Sequence, residues 1–248
     1  MTKNKKTTIG IIGYGEVGKA IEKLAKPKYN VYCRDLSFDQ IGDHPIKILN
    51  LCFPYGPMFV PTAVTAIMGL KPKLVIIHST VKPGTTRSIY HQTHIPIAHT
   101  PIMGVHPHLA KYQKAFSKII GAIDEPTFRR VKAFWTNLGA KKTIRFDRPE
   151  ESELGKIICT TYYGWNIVFN KAVKQLSTKH KVNFEQIYHQ INQVYNAGYK
   201  TTLPHVTRPD LKFVEGKIGG HCVLPNAAFM QEYDELFEEF MLLTKKFS

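Results

Sequence analysis

Residues 8–24 carry three patterns in an order that few folds accommodate. Residues 8–12 form a short apolar run rich in β-branched side chains, which predicts a buried strand. The motif Gly13-Tyr14-Gly15-Glu16-Val17-Gly18 follows directly, and residues 17–24 have the apolar spacing of a helix. A strand, a glycine turn and a helix in succession are the context of a phosphate-binding G-x-G-x-x-G loop. We therefore expect residues 8–24 to open a nucleotide-binding sheet.

The three glycines of this motif suit three demands of a bound dinucleotide. Gly13 permits the tight turn, Gly15 lets a pyrophosphate approach the backbone, and Gly18 lets the helix pack closely on the sheet. The next predicted strand ends at Arg34 and Asp35. An acid at this distance from the motif suits the ribose hydroxyls of NAD, whereas Arg34 suits the 2′-phosphate of NADP. The motif predicts a dinucleotide cofactor, with NAD favoured.

Further strand-like segments alternate with helical segments along the first part of the chain. This alternation indicates an α/β fold with a Rossmann-type, doubly wound and mostly parallel sheet, which binds ligands at the carboxyl ends of its strands. We assign it to an NAD-binding domain of residues 1–148, with further strands at residues 30–33, 46–53, 73–78, 95–99, 119–123 and 142–146. The predicted cofactor contacts are Gly13, Tyr14, Gly15, Glu16, Val17, Gly18, Arg34, Asp35, Pro54, Ser79 and Thr80.

The pattern changes at Pro149, after which bulky apolar residues recur at helical spacing. We predict three helices, at residues 151–177, 184–196 and 226–246. They would form a smaller all-helical domain of residues 149–248, which we interpret as a substrate domain.

Basic residues outnumber acidic ones, with 34 Lys and Arg against 19 Asp and Glu and a formal net charge of +15. A charge of this sign favours an anionic ligand such as a small anionic substrate, or else belongs to a solvated basic surface without a specific partner. The chain has no recognisable nucleic-acid module, so no specific nucleic-acid partner is predicted. It also lacks a long apolar stretch and a signal-peptide pattern, from which we expect no membrane span and a cytoplasmic location.

The four cysteines are far apart and form no C-x-x-C pair, which argues against a disulfide framework or a zinc site. Cys33, Cys52 and Cys159 lie in apolar runs and are interpreted as core residues. Cys222 lies alone in a glycine-rich loop, where it is either a reactive thiol or an inert cysteine in a turn. Five histidines crowd one region without a metal-binding pattern, so we predict surface or cleft histidines and no metal: His91, His94, His99, His106 and His108.

Four separated segments carry the most specific motifs of the chain. They are the glycine motif with Asp35, His78-Ser79-Thr80-Val81-Lys82-Pro83-Gly84, Glu153-Leu154-Gly155-Lys156, and Gly219-Gly220-His221-Cys222-Val223-Leu224-Pro225. In this order and spacing they resemble the UDP-glucose and GDP-mannose dehydrogenase family, which oxidises the primary alcohol of a nucleotide sugar to an acid. The resemblance covers nearly the whole chain.

The resemblance implies a role for three side chains. Cys222 would be the nucleophile that captures an aldehyde as a thiohemiacetal, and Lys156 would stabilise the oxyanion. Thr80 would lie beside the nicotinamide or a catalytic water. The resemblance also implies a homodimer formed through the long helix that begins near residue 151.

The chain departs from the family at several positions. Thr160 stands where the family has asparagine, and Asn226 where it has aspartate. Apolar residues and His106 replace the acidic residues after the fifth strand, so His106 is the candidate substitute base. We expect a truncated, divergent member without the C-terminal nucleotide-sugar domain. Its substrate would be a small anionic one, such as a sugar phosphate, or a nucleotide sugar held with a partner's help.

Two other functions remain open. A β-hydroxyacid or 6-phosphogluconate type of dehydrogenase also pairs a Rossmann domain with a helical domain and uses a lysine, without needing the thiol. A non-catalytic NAD-binding regulatory protein would account for the missing carboxylates.

Overall fold

A computed structural model describes residues 6–218, 223–231 and 234–247 of the chain. The chain divides into two compact units, Met1–Lys156 and Ile157–Ser248. This division falls inside the helix Pro149–Lys179, a few residues beyond the boundary at residues 148 and 149 proposed from sequence. The functional assignment of the two domains stays a prediction.

Eight strands form one sheet in the described part of the first unit: β1 (Thr8–Ile12), β2 (Asn30–Asp35), β3 (Phe38–Asp39), β4 (Ile48–Leu51), β5 (Leu74–Ile77), β6 (Ile97–His99), β7 (Lys118–Ala122) and β8 (Thr143–Phe146). Their order is β3-β2-β1-β4-β5-β6-β7-β8. Neighbouring strands are parallel except for the pairs β2–β3 and β6–β7. The predicted Rossmann-type, mostly parallel sheet is confirmed. The two-residue β3 is too short to show a periodic pattern and was not predicted.

Helices cover both faces of this sheet: α1 (Glu16–Ala25), α2 (Phe59–Leu70), α3 (Thr85–Thr93), α4 (Leu109–Ala115), α5 (Glu125–Asn137) and the start of α6 (Pro149–Lys179). Side chains alternate across β1, so Ile9 and Ile11 join one apolar cluster with Trp135 of α5, while Ile12 joins the other with Phe59 of α2. Each fully buried side chain of this size contributes about 1.5–3 kcal/mol. The two clusters hold the sheet between its helices.

The strand order sets where a ligand can bind. β1 lies between β2 and β4, so the chain reverses its direction of winding at β1 and leaves a crevice at the carboxyl ends of the central strands. The loops that leave β1, β2, β4, β5 and β6 lie along this edge. The glycine motif and the segment after β5 are among them, as the sequence predicted.

The second unit holds the rest of α6, a π-helical turn (Glu185–Gln190), α7 (Ile191–Tyr199), a 3₁₀ turn (Pro204–Val206), α8 (Val223–Ala228) and α9 (Glu235–Lys246). The long helix predicted at residues 151–177 is confirmed as α6. The single helix predicted at residues 226–246 is wrong, because α8 ends at Ala228 and α9 begins separately. Asp234 has extended backbone, and its carboxylate accepts a hydrogen bond of 2.9 Å from the Leu236 N–H, which starts the new helix.

The interpretation of the cysteines as core residues is correct for Cys33 and Cys52, which are buried, and wrong for Cys159. Cys159 is exposed because it lies on the outward face of α6 beside the exposed Ile158 and Tyr162. No helix within the described ranges has the length and apolar character that a membrane span requires.

Candidate dinucleotide-binding site

The glycine motif forms a tight turn between β1 and α1. Gly13 has φ +93°, and a Cβ there would come within 2.5 Å of the Phe53 backbone nitrogen. A Cβ on Gly18 would lie 2.0 Å from the Gly13 carbonyl oxygen. A Cβ on Gly15, in contrast, would meet no described atom within 4 Å. Two glycines are therefore required by the fold, whereas Gly15 borders open space at the amino end of α1.

Asp35 ties the end of β2 to this turn. Its carboxylate accepts hydrogen bonds from the Tyr14 N–H and, at 2.7 Å, from the Leu36 N–H. The Tyr14 bond first and the Leu36 bond second lower the pKa of Asp35, so the group is ionised at neutral pH. An anionic acceptor stands beside the glycine turn, where the sequence predicts ribose hydroxyls.

An open groove lies next to these residues. It has a volume of about 550 Å³ and is lined by Ile12 at the end of β1, Arg34 at the end of β2, Met58 just before α2, and residues of α2 that include Thr62 and Thr65. A cleft of this size and composition suits a small organic ligand. Its position and the open space at Gly15 fit the adenosine half of a dinucleotide.

Arg34 already pairs with a carboxylate of the chain. Its guanidinium donates to Asp39 on the antiparallel strand β3 at 2.8 Å, and this bond lowers the pKa of Asp39. Asp39 also accepts hydrogen bonds from the N–H groups of Ile41 and Gly42. The charge that the sequence offers to a 2′-phosphate is thus balanced by a carboxylate.

Tyr14 anchors the turn from outside. Its hydroxyl donates to Glu22 at 2.5 Å, which raises the pKa of Tyr14 to about 12, and its ring meets Phe38 edge-on at 5.4 Å. Of the other predicted contacts, Glu16 is exposed in the first turn of α1 and Val17 is partly buried.

The loops after β4 and β5 meet at the same edge. The Ser79 hydroxyl donates to the Phe53 carbonyl at 2.6 Å, and Thr80 follows as a half-buried residue. Pro54 is exposed in the loop after β4. The fold brings Ser79 and Pro54 to one edge with the glycine motif, while their contact with a cofactor stays a prediction.

His99, at the end of β6, is fully buried, so the prediction of a surface or cleft histidine is wrong for this residue. Burial lowers its pKa to about 3, so the ring is neutral. Nε2 lies 3.1 Å from the Ser79 carbonyl, which can only accept, so the ring proton is on Nε2. Nδ1 lies 2.8 Å from the Ser152 hydroxyl oxygen on α6, a hydroxyl that also donates to the Pro149 carbonyl at 2.8 Å.

Sequence reasoning missed Lys118, a buried lysine at the start of β7. Its Nζ donates to the Pro101 carbonyl at 3.2 Å and to Gln113 at 2.6 Å, and lies 4.2 Å from the centre of the Trp135 ring. Burial, and then the charge of Lys156, lower the pKa of Lys118 to about 7. The charge of Lys156 also lowers the pKa of His99, after burial and despite the Ser79 bond. The charge of Lys156 therefore acts on both His99 and Lys118.

His78 belongs to a buried network rather than to the open edge. Burial lowers its pKa to about 3. Its ring lies 2.9 Å from the Asn50 amide oxygen and 3.2 Å from the Thr100 hydroxyl, while Trp135 donates to that hydroxyl and Asn50 donates to the Gly10 carbonyl. A neutral ring satisfies this chain of bonds, with Nε2 as donor and Nδ1 as acceptor.

His106 is exposed. Its Nδ1 is 3.4 Å from a carboxylate oxygen of Glu16, in the first turn of α1. The structure thus brings the candidate base to the glycine motif.

Two predicted catalytic residues meet within the second unit. The Asn226 side-chain amide on α8 donates to the Thr160 hydroxyl on α6 at 3.1 Å. Cys222, the predicted nucleophile, lies outside the described residues, as does His221. No cluster of three potential metal ligands occurs in the part of the chain that the structure describes.

The fold and the glycine turn define a Rossmann-type domain followed by a helical unit. No protein-family model matches the sequence, and no curated protein matches it. Solved structures do match. The UDP-D-ManNAc dehydrogenase of Pyrococcus horikoshii aligns with a TM-score of 0.80 and 17% identity over 97% of this chain and 69% of that chain. A UDP-glucose dehydrogenase of Pyrobaculum islandicum aligns with a TM-score of 0.74 and 16% identity over 99% of this chain and 68% of that chain.

A third match has a different coverage. The 3-hydroxyisobutyrate dehydrogenase of Mycobacterium tuberculosis aligns with a TM-score of 0.72 and 15% identity over 98% of this chain and 94% of that chain. Identities this low show a shared fold. The resemblance to nucleotide-sugar dehydrogenases is confirmed at that level, over nearly the whole chain.

Proposed function

We propose that this protein is an NAD-dependent oxidoreductase, similar to nucleotide-sugar dehydrogenases, that oxidises an alcohol or aldehyde of a small anionic, sugar-like substrate. One observation carries the proposal. Backbone atoms leave no room for a side chain at Gly13 and Gly18, whereas Gly15 borders open space. The ionised Asp35 and a groove large enough for adenosine lie beside this turn. This is the arrangement that a dinucleotide requires.

The residues of the first unit fit NAD. Backbone N–H groups at the amino end of α1 would hold the pyrophosphate, Asp35 the ribose hydroxyls, and the groove beside Arg34 and α2 the adenine. NAD supplies an acceptor for hydride. Ser79 and Thr80 would lie along the nicotinamide side, because they follow β5 at the same edge.

The chain's own residues would manage protons and the substrate carbonyl. When hydride leaves the alcohol carbon, a base takes the hydroxyl proton, and His106 is the candidate. The Cys222 thiolate then adds to the aldehyde carbon, and the Lys156 ammonium holds the oxygen that becomes negative. Loss of a second hydride gives a thioester, which water cleaves to the acid and the free thiol. Each oxidation removes two electrons as hydride, so conversion of the alcohol to the acid would need two equivalents of the hydride acceptor.

An anionic substrate is supported by the second unit. It contains a cavity of about 400 Å³ whose lining includes Lys171, Lys212, Lys217 and Tyr163. Glu215 also lines the cavity, so three ammonium groups and one carboxylate leave a net positive charge that attracts carboxylate or phosphate. The segment that lines it leads directly into the loop of Cys222.

A homodimer through α6 is part of the proposal. Ile158, Tyr162, Phe169 and Leu176 share one helical face and are 49%, 61%, 62% and 51% exposed. An exposed apolar stripe of this length favours association with another surface.

Replacing Gly15 by leucine tests cofactor binding. Gly15 has φ −73°, which any residue can adopt, and the position borders open space, so the variant should keep the melting temperature of the wild type. Its side chain would occupy the space meant for the pyrophosphate, so we expect affinity for NADH to fall at least about a hundredfold. Binding is measured by fluorescence titration.

Gly198→Leu is the matched control, because Gly198 lies in α7 and also has open space around it. It should bind NADH like the wild type. A wild-type protein that binds neither NADH nor NADPH would refute the proposed function.

A second candidate function is a β-hydroxyacid dehydrogenase, which uses a lysine and no thiol. The match to 3-hydroxyisobutyrate dehydrogenase supports it, since this chain aligns with 94% of that protein. Cys222→Ser separates the two reactions. If the thiol forms the thiohemiacetal, NADH production from an aldehyde substrate should fall by at least about a thousandfold.

The same variant leaves alcohol oxidation intact in the β-hydroxyacid mechanism. Wild-type activity in the serine variant would therefore favour that reaction. NADH binding without turnover on sugar nucleotides, sugar phosphates and hydroxy acids would instead indicate a non-catalytic NAD-binding protein.

A further inference from the structure

The loop that carries Thr80 is fastened at both ends to one turn of α6. This loop, residues 79–84, leaves β5 and leads into α3. At its beginning, the Ser79 carbonyl accepts from His99, whose other ring nitrogen lies 2.8 Å from the Ser152 hydroxyl oxygen of α6. At its end, the Glu153 carboxylate accepts from Gly84 and Thr86. Adjacent residues of α6 thus reach opposite ends of the loop.

Glu153 makes the stronger of these connections. It is fully buried, and its carboxylate accepts three hydrogen bonds, from the Gly84 N–H at 2.6 Å, the Thr86 N–H at 2.8 Å and the Thr86 hydroxyl at 2.6 Å. Gly84 and Thr86 lie at the amino end of α3, where a negative charge is stabilised by otherwise unpaired N–H groups. The carboxylate on α6 therefore performs the capping of α3 that no local side chain provides.

The first turn of α6 is itself fixed against the sheet. A Cβ on Gly121 of β7 would lie 2.3 Å from the Ser152 hydroxyl oxygen and 2.7 Å from the Pro149 Cα. Only glycine allows this approach. On the outer side, Arg87 of α3 donates to Glu150 at 2.5 Å. The position of this turn is determined by contacts on both sides.

Lys156 follows on the next turn of α6, three residues after Glu153 and four after Ser152, and so lies on the same side of the helix. We propose that Ser152, Glu153 and His99, here called the α6 clamp, are positioning residues that set the distance between Lys156 and the loop of Thr80. The inference rests on the proposed function, in which Lys156 and Thr80 contact the reacting groups. In this proposal the clamp acts through Lys156 and the loop of Thr80 and not by contact with substrate or cofactor.

The clamp predicts that disturbing Glu153 alters both the loop and Lys156. In Glu153→Gln, an amide N–H₂ group replaces one oxygen and opposes the N–H groups of Gly84 or Thr86. Amide hydrogen exchange at residues 84–86 should become faster by about tenfold. The rate of Lys156 acylation by an amine-reactive ester, followed against pH by peptide mass spectrometry, should also change.

Because Glu153→Gln removes a charge near Lys156, a charge-neutral variant is needed. Thr86→Val removes only the hydroxyl that donates to Glu153 and leaves the charges unchanged. A changed pH dependence of the Lys156 acylation rate in this variant would therefore report a changed position of Lys156. Thr93→Val is the matched control, since Thr93 is a buried threonine of the same helix whose hydroxyl donates to Ile89 and not to Glu153. This control should leave the Lys156 profile unchanged.

These measurements are made on the full chain without cofactor, so they are independent of NADH binding. A lower melting temperature in Thr86→Val and Glu153→Gln with unchanged exchange at residues 84–86 and an unchanged Lys156 profile would overturn the proposal. Failure of NADH binding in the wild type would overturn the proposed function and leave the clamp measurements standing.

Discussion

At the scale of single residues, the ion pair of Arg34 with Asp39 bears on the preference for NAD or NADP. Arg34 lines the groove at the end of β2, and its guanidinium is held by Asp39 at 2.8 Å. Its Nε is buried and has no hydrogen-bond partner among the described residues. The neighbouring Asp35 is ionised and would repel a 2′-phosphate. Both features favour NAD.

Asp39→Asn should weaken this preference. Asparagine keeps an oxygen for the N–H groups of Ile41 and Gly42 but removes the charge that neutralises Arg34. We expect the ratio of NADPH to NADH affinity to rise by about tenfold, which corresponds to one charge-assisted contact. Fluorescence titration with both nucleotides measures the ratio.

Asp43→Asn serves as the control for the loss of one negative charge. Asp43 lies four residues after Asp39, in the loop that follows β3, and is exposed. An equal change of the affinity ratio in both variants would show that net charge, and not the release of Arg34, is responsible.

At the scale of elements, close approach of helices explains the compactness of the second unit. Its apolar cluster includes Val168 of α6, Val223 of α8 and Phe240 of α9. A Cβ on Gly164 of α6 would lie 2.5 Å from Phe240 and 2.6 Å from Val223. Gly164 is therefore the position where α6 permits α8 and α9 to approach.

Two glycine substitutions on α6 should have opposite effects. Gly164→Ala forces the Phe240 ring to move and should lower the free energy of unfolding by about 1–3 kcal/mol. Gly155→Ala meets its nearest atom only at 3.9 Å, so the better helix propensity of alanine should raise that free energy by up to about 1 kcal/mol. Urea denaturation measures both. Stabilisation by Gly164→Ala would contradict the described packing.

At the scale of the whole molecule, buried bases make stability depend on pH. Burial lowers the pKa of His78 and of His99 to about 3, and the pKa of Lys118 to about 7. In each case the unfolded chain binds a proton more readily than the folded one. The free energy of unfolding therefore falls as the pH falls from the unfolded-state pKa to the folded-state pKa. The full loss is present below the folded-state pKa.

The free energy of unfolding should accordingly rise with pH in two windows. The histidines act between their folded pKa of about 3 and the ordinary histidine value of 6.5, and Lys118 acts between about 7 and 10.5. Each group adds a slope of up to about 1.4 kcal/mol per pH unit. Urea denaturation across these ranges gives the slopes.

Lys118→Met isolates the upper window. The variant lacks the titrating amine. Its free energy of unfolding should therefore rise less steeply between pH 7 and 10 than that of the wild type, by up to about 1.4 kcal/mol per pH unit, which corresponds to one proton. Equal slopes would mean that Lys118 keeps an ordinary pKa in the folded chain. The difference between variants removes the effect of the overall positive charge, which both share.

The amino-acid sequence determined the Rossmann-type sheet, the glycine turn and the long helix α6, because strand and helix periodicity and the glycine spacing are local properties. It failed at α8 and α9, where the apolar spacing continues although the capping residue Asp234 begins a new helix. The exposure of Cys159 was missed for a similar reason, since apolar neighbours do not reveal which side of a helix faces outward.

The tertiary structure alone decided the surroundings of the candidate site. Glu153 and Gly84 are 69 positions apart, and His99 and Ser152 are 53 apart, so no local pattern connects them. The burial of Lys118 and the pairing of Arg34 with β3 depend equally on the assembled sheet. The sequence determined which chemical groups the chain carries; packing determined which of them are buried, neutral or held at the open edge, because desolvation and hydrogen bonding depend on distant neighbours.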